Sequence, residues 1–359
     1  MKTVTAVMRD RIDQEMMEKA GAILKQGGLV AFPTETVYGL GGNALDEQAA
    51  EKIYAAKGRP SDNPLIVHIA EFEALERIAD GIPEAARKLA DAFWPGPLTM
   101  IFNKKELVPH GTTGGLETVA VRMPDHPVAL ALIRAGGGYV AAPSANLSGR
   151  PSPTCAAHVQ EDLDGRIDMI LDGGDVGIGL ESTIVDLSEG VPTILRPGYI
   201  NQQMLEEVIG RTEMDRGLLS DDSDVRPRAP GMKYRHYAPK ASLTIVEGPQ
   251  ERVIARINQL ADEGEAAGEK IGVIAAAEST QHYGSGIVRT IGSRSDEISI
   301  ARHLFGILRE FDRLEVDRIY SESFETPQMG QAIMNRLLKA AGHKIINVEE
   351  EKENDSTGM

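Results

Sequence analysis

A mixed α/β protein is the fold class this sequence predicts: one large mixed, twisted sheet with helices packed on it, followed by a smaller parallel sheet. Two observations carry the prediction. In the first part of the chain, short apolar runs bounded by glycine and proline outnumber the amphipathic stretches. After about residue 242, strand-like and helix-like segments alternate regularly, the rhythm of a Rossmann-like parallel domain. The 359 residues suit two domains if one is large, and a 42% hydrophobic content leaves ample material for two cores.

Residues 13–26 place Met17, Ala20, Ile23 and Leu24 at helical spacing, and Gly27-Gly28 stops them. LVAF (29–32) reads as a buried strand. Asp46 is a cap for the helix EQAAEKIYAAK, which Gly58 ends. PLIVHI (64–69) is strand-like, and helices follow near 72–79 and 84–93. Further strands are predicted at 98–102, 118–123, 139–142, 168–171, 183–187 and 193–196, with helices at 126–135 and 202–209. The first domain is expected over 10–205 and a linker over 206–241. From residue 211 the linker has no period and carries mixed charge and several prolines. The second domain, 242–347, reads as strand 243–246, helix 250–266, strands 271–276 and 287–290, helix 296–313, strand 317–322 and helix 328–341. No Gly-rich fingerprint follows its first strand, so no dinucleotide is expected there. Residues 348–359 form an acidic tail, expected to be disordered.

Charge and composition narrow the function. Lys and Arg number 38 against 54 Asp and Glu, a net charge of −16, so tight non-specific nucleic-acid binding is not expected. No run approaches the length of a membrane span, and the N-terminal residues lack a signal-peptide pattern, so a cytoplasmic protein is expected. The single cysteine, Cys155, forms no internal disulfide and builds no zinc site. P-loop, HExxH and GxSxG motifs are all absent.

What remains is a set of small, polar, partly basic motifs. PTETVYGLGG (33–42) follows a buried strand; its hydroxyls and glycines would let backbone approach a ligand, or merely make a tight connection. KGRPSDNP (57–64) sets Lys57 and Arg59 at a helix end, where they complement the helix dipole or point together at a phosphate chain. Arg122 lies in an apolar strand pattern and needs a partner: an internal carboxylate such as Glu35 or Asp186, or an anionic ligand. APSANLSGRPSPT (142–154) crowds hydroxyls and an amide directly after a strand. LESTIVDL (180–187) adds another hydroxyl pair, and ILRPG (194–198) a strand-end arginine, Arg196. Together they describe a cationic, hydroxyl-lined cleft for phosphates and a small zwitterion. His68, alone in PLIVHI, reads first as a core histidine. Aromatic and basic residues interleave in RAPGMKYRHYAPKA (228–241), suggesting either a lid or a segment lying on the domain surface.

The ordered motifs PTETVYGLGG, KGRPSDNPL, WPGPLTMIF, VAVRMPDHP, APSANLSGRPSPT, ESTIVDL and ILRPG resemble the YrdC-like threonylcarbamoyl-AMP synthases. The linker and trailing domain resemble the long, two-domain form of that family. The resemblance implies a YrdC-like catalytic domain and a reaction of L-threonine, bicarbonate or CO2 and ATP to give threonylcarbamoyl-AMP and pyrophosphate. The product then serves tRNA threonylcarbamoyladenosine modification through separate partner proteins. By the same resemblance, Lys57, Arg59, Ser144 and Asn146 are catalytic. ATP contacts are implied for Arg59, Asn63, Thr118, Ser144, Ser152, Arg196 and Tyr237. L-threonine contacts are implied for Thr36, His68, Arg122, Ala142 (through backbone) and Ser182. Mg2+ is expected on the ATP phosphates, with no protein metal site. The alternative reading is an RNA-binding module of the same fold without nucleotide turnover.

Overall fold

The computed structural model describes residues 2–218 and 236–349. The chain divides into two compact units, one of residues 1–148 and 152–234 and the other of 149–151 and 235–359.

The first unit is organised on a 12-stranded sheet. Its strands are β1 (Val4–Val7), β2 (Val30–Phe32), β3 (Gly39–Asn43), β4 (Ile66–His68), β5 (Ala79–Asp80), β6 (Leu98–Lys104), β7 (Thr118–Arg122), β8 (Val140–Ala142), β9 (Met169–Asp172), β10 (Thr183–Asp186), β11 (Thr193–Arg196) and β12 (Glu213–Met214). They pair in the order β1-β9-β2-β3-β8-β4-β7-β6-β10-β11-β12, with β5 on β6. Parallel pairs such as β4/β7 and β6/β10 stand beside antiparallel ones such as β6/β7 and β10/β11, so the sheet is mixed, as expected.

The apolar pattern of the strands explains where helices sit. Val67, Met100, Phe102, Val119 and Val121 join the larger core, with residues such as Ile53 and Leu89 of the helices Glu47–Lys57 and Glu84–Phe93. A second core joins Phe32, Val140 and Leu171 to the helices Gln14–Lys25 and Pro127–Ala135. Asp46 and Gly58 cap their helix where the sequence placed them, the Asp46 carboxylate accepting a first-turn N–H and Gly58 closing the helix in the left-handed region at φ 61°; the Asp13 carboxylate caps the helix before it in the same way.

Four strands of this sheet, β1, β3, β5 and β12, escape the sequence pattern. β1 buries one of its four residues, so it shows no apolar run, yet it pairs with β9 from Val4 to Val7. β3 is GLGGN, a composition that reads as a loop. Its glycines answer to packing: a Cβ on Gly41 would lie 2.8 Å from Val140 Cγ1, on Gly39 3.1 Å from Phe32, and on Gly42 3.0 Å from Ile53. The sheet also continues past residue 205, through the helix Gln202–Ile209 to β12.

The second unit is a parallel sheet of β13 (Ser242–Glu247), β14 (Ile271–Ala276), β15 (Ile287–Gly292), β16 (Arg318–Glu322) and β17 (Ile345–Asn347), ordered β15-β14-β16-β13-β17. The helices Gln250–Ala266, Glu297–Leu314 and Gly330–Ala341 connect its strands, as the alternation predicts. The tripeptide 149–151 belongs to this unit. Gly149 O accepts from Ala238 N at 2.8 Å, and the fully buried Arg309 donates to Pro151 O at 3.1 and 2.7 Å. Of the linker, residues 219–235 lie outside the described residues, and so does most of the lid reading; of the tail, residues 350–359 do. Among the described residues, no helix is long and apolar enough to cross a membrane.

If Gly41 is small for packing, Gly41→Ala should cost about 1–3 kcal/mol of stability. Urea denaturation monitored by circular dichroism checks this; an unchanged midpoint would mean that Val140 yields without strain.

Candidate active site

The candidate site grows from one row of side chains across the first sheet. His68 on β4, Arg122 on β7 and Thr99 on β6 are register partners in neighbouring strands. Partners in register point to the same face. Beneath them, Ile66, Ile101, Ala120, Ile184 and Leu195 make a small apolar cluster.

Arg122 is the centre of the row, with its side chain 5% exposed. Its Nε donates to Gly96 O at 3.2 Å, one terminal nitrogen to Thr36 Oγ1 at 2.9 Å, and the other to Glu35 Oε1 at 2.5 Å. Of the two carboxylates open to it from sequence, Glu35 is therefore the partner. Asp186 is engaged instead by the amide and hydroxyl of Ser188, at 2.9 and 2.6 Å. Glu35 and Thr36 arrive on the loop after β2, which Thr34 shapes: its hydroxyl donates to Val37 O at 2.7 Å and accepts the amides of Thr36 and Val37. With the Thr34 proton so used, the Thr36 hydroxyl donates to Thr34 across their 2.8 Å contact. Its oxygen is then turned to accept from Arg122.

His68 is buried, its Nδ1 3.1 Å from Ile66 O and its ring edge-on to Phe32 at 5.9 Å. Burial, helped by the positive charge of Arg122, pushes its pKa down to about 3, so the ring is neutral near pH 7. Thr99 continues the row through Ser182, whose hydroxyl lies 2.8 Å from Thr99 Oγ1. Arg196, at the end of β11 and 5% exposed, donates to Ser182 O at 3.0 Å and to its Oγ at 3.1 Å. Thr36, His68, Arg122, Ser182 and Arg196, drawn from four separate motifs and one strand, thus join one polar system. Ala142 ends β8 opposite Ile66, directly before the loop that carries Ser144 and Asn146.

A second group surrounds Lys57. That ammonium, 2% exposed at the end of its helix, donates to the main-chain oxygens of Ser144 and Asn146, both at 2.5 Å. Ser144 Oγ donates to Asn146 Oδ1 at 2.5 Å, and Ser144 also bridges to Gly39 of β3. Arg59 turns instead to the oxygens of Asn63 and Pro64, at 3.3 and 3.1 Å. Lys57 therefore braces the 144–146 loop while Arg59 braces its own. Asn63 is 1% exposed, and its side-chain oxygen is buried without a partner. Thr118 stands at the other end of β7 from Arg122, half-buried. Ser152 Oγ donates to Glu181 Oε1. Tyr237 falls in the second unit, at φ 63°, with its ring stacked on Phe305 at 5.1 Å.

Sequence reasoning missed Thr99, Glu181 and the Gly96 carbonyl. Thr99 left one faint signal, a hydroxyl inside the apolar run LTMIF; a main-chain acceptor such as Gly96 O leaves none.

A guanidinium, an acid and aligned hydroxyls across one face of a mixed sheet define an α/β protein built to hold a small charged ligand. A family model described as "Telomere recombination" matches residues 22–198, and one described as "Threonylcarbamoyl-AMP synthase, C-terminal domain" matches residues 200–342. The chain is 50% identical over 346 residues to the threonylcarbamoyl-AMP synthase of Pyrococcus abyssi, covering 96% of this chain and 100% of the relative. To that of Bacillus subtilis it is 51% identical over 329 residues, covering 91% and 93%. The solved structure of P. abyssi Sua5 complexed with L-threonine superposes with a TM-score of 0.92 at 49% identity, covering 96% of this chain and 100% of the other. The chain belongs to the Sua5/YrdC family of threonylcarbamoyl-AMP synthases, in the form that carries the C-terminal domain.

His68 gives this site a measurable pH signature. Between about pH 3 and 6.5 the unfolded chain holds a proton that the folded ring refuses, so stability falls as pH falls through that window. Between pH 7 and 5 the protein should lose about 2 kcal/mol more than His68→Gln does. Urea titrations of both at the two pH values check it; parallel losses would place the ring's pKa near its ordinary value.

Proposed function

We infer that this protein is an L-threonylcarbamoyladenylate synthase, a nucleotidyl-transferring enzyme that uses ATP and L-threonine. The observation that carries this reading is the 50% identity to a threonylcarbamoyl-AMP synthase over 96% of the chain, both domains included. The site geometry supports it with a guanidinium suited to a carboxylate and a second arginine, Arg196, on the same polar system.

In the reaction we propose, the threonine amine adds to CO2 with loss of a proton, or to bicarbonate with loss of water, and a carbamate oxygen attacks the α-phosphorus of ATP. The bond from that phosphorus to the bridging oxygen breaks, and pyrophosphate leaves with the electron pair. Such chemistry asks the protein for position and charge compensation more than for covalent participation. Three of the five N–H groups of Arg122 are engaged by Gly96, Thr36 and Glu35, which leaves one on each terminal nitrogen for the substrate carboxylate. The hydroxyl of Thr36 and the neutral ring of His68 would line the same pocket without adding charge. Arg196 and Arg59 would offset negative charge growing on the phosphates. Lys57 would set the loop of Ser144 and Asn146 against the nucleotide. Mg2+ would ride on ATP: among the described residues no group of three His, Cys, Asp or Glu is placed to hold a metal. We place the reaction in the cytoplasm, with the adenylate handed to separate tRNA-modifying proteins.

Pyrophosphate release from ATP should require both L-threonine and bicarbonate. Arg196→Ala should lower kcat by about 100-fold or more, assayed well below a denaturation midpoint that the loss of its buried hydrogen bonds to Ser182 lowers. Release that ignores threonine would overturn the reading.

A further inference from the structure

The pair of the buried Arg122 and the partly buried Glu35 is chemically unfinished. Glu35 Oε1 takes one N–H of Arg122 at 2.5 Å, but Oε2 is buried and has no hydrogen-bond partner. A buried carboxylate oxygen without a donor is costly, and such atoms are uncommon in folded proteins. The groups around Glu35 do not supply the donor. Arg122 reaches only the other oxygen. His126, at the start of the helix Pro127–Ala135, is held below its usual pKa by burial and so is neutral near pH 7. Its Nδ1 accepts the Val128 amide, so the ring proton is on Nε2, and no hydrogen bond runs from there to Glu35 Oε2. Ile178, on the neighbouring loop, donates to the main-chain oxygen of Glu35, not to its side chain.

The pair therefore presents, side by side, two unused guanidinium N–H groups and one unused carboxylate oxygen. An α-amino acid offers the complement: a carboxylate and an ammonium on one carbon. The charges agree as well. Glu35 and Arg122 sum to zero, as a zwitterion does, so neither partner is left with an unmatched buried charge on binding. A ligand carrying the carboxylate alone would bring an uncompensated negative charge against Glu35. We propose that Glu35 receives the α-ammonium group of the amino-acid substrate while Arg122 takes its carboxylate. Glu35 is thereby the residue that selects an amino acid over the corresponding hydroxy acid. The proposal rests on the synthase reading above and adds to it a determinant of substrate class.

The test compares L-threonine with 2,3-dihydroxybutanoate, which keeps the carboxylate and replaces the ammonium by a hydroxyl. Calorimetric titration of the full chain gives both affinities, in the wild type and in Glu35→Gln. The wild type should prefer threonine by about 10- to 100-fold. In Glu35→Gln threonine should weaken by a similar factor while the dihydroxy acid holds or improves, so that the preference collapses. Equal weakening of both ligands would show that Glu35 only orients Arg122, and an unchanged ratio would show that it does not read the ammonium; either overturns the proposal. If Glu35→Gln does not fold, Glu35→Asp serves: it keeps the charge but withdraws the oxygen by one methylene, so threonine alone should weaken. The synthase reading fails separately, through a wild type that neither binds threonine nor releases pyrophosphate in its presence.

Discussion

A guanidinium buried in the middle of a sheet is the constraint on which the rest of the first unit turns. Arg122 occupies a position whose neighbours along β7 are valine and alanine, and a charge there is tolerable only when paired and hydrogen-bonded. Its three partners come from two places in the chain: Gly96 in the turn before β6, and Glu35 and Thr36 on the loop after β2. The loop after β2 must consequently lie against β7, although the two strands are not neighbours in the sheet. Thr34 makes that loop rigid with its own hydroxyl, and the glycines of β3 let Phe32, Val140 and Ile53 close in behind it.

Lys57 plays the matching part on the next loop. A buried ammonium needs acceptors, and it finds two in the main-chain oxygens of the 144–146 segment. Main-chain oxygens fix the loop's path without cancelling the positive charge. The site thereby sets one cation against the carboxylate of Glu35 and another against the main-chain oxygens of a loop. An amino acid and a polyanion need different surroundings in that respect, since the first is neutral overall and the second is not.

Much of this was legible in the sequence because the strongest signals are local. The strand Thr193–Arg196 and the helix Gln202–Ile209 fall where their apolar patterns put them, Asp46 marks a helix start by its carboxylate, and Gly58 marks the end by its backbone freedom. Arg122 announced itself as a charge in an apolar strand. The sequence could not choose its partner, because Glu35 and Asp186 differ only in which strands the fold brings together. Nor could it find β3, where glycines serve a tertiary fit that no local pattern encodes, or β1, whose only support is the neighbouring β9. The two cations of KGRP look equivalent on paper. A helix end and a turn send them to different loops.

The second unit shows what a finished polar network looks like. At the carboxyl end of its parallel sheet, where ligands commonly sit in such folds, Glu322 is 1% exposed. One of its oxygens accepts from Ser279 and from Tyr283 at 2.8 Å, and the other from Arg294 at 2.7 Å. Its nearness, with burial, pushes the Tyr283 phenol well above its usual range, so that the phenol stays a donor. Both oxygens of Glu322 are answered from within the unit, and the network acts as a clamp between β14, β15 and β16. Glu35 has the same chemistry and is less buried, its side chain 14% exposed, yet only one of its oxygens is answered. A fold able to satisfy one acid completely leaves another half satisfied at the centre of its polar row, and the role proposed for Glu35 rests on that contrast.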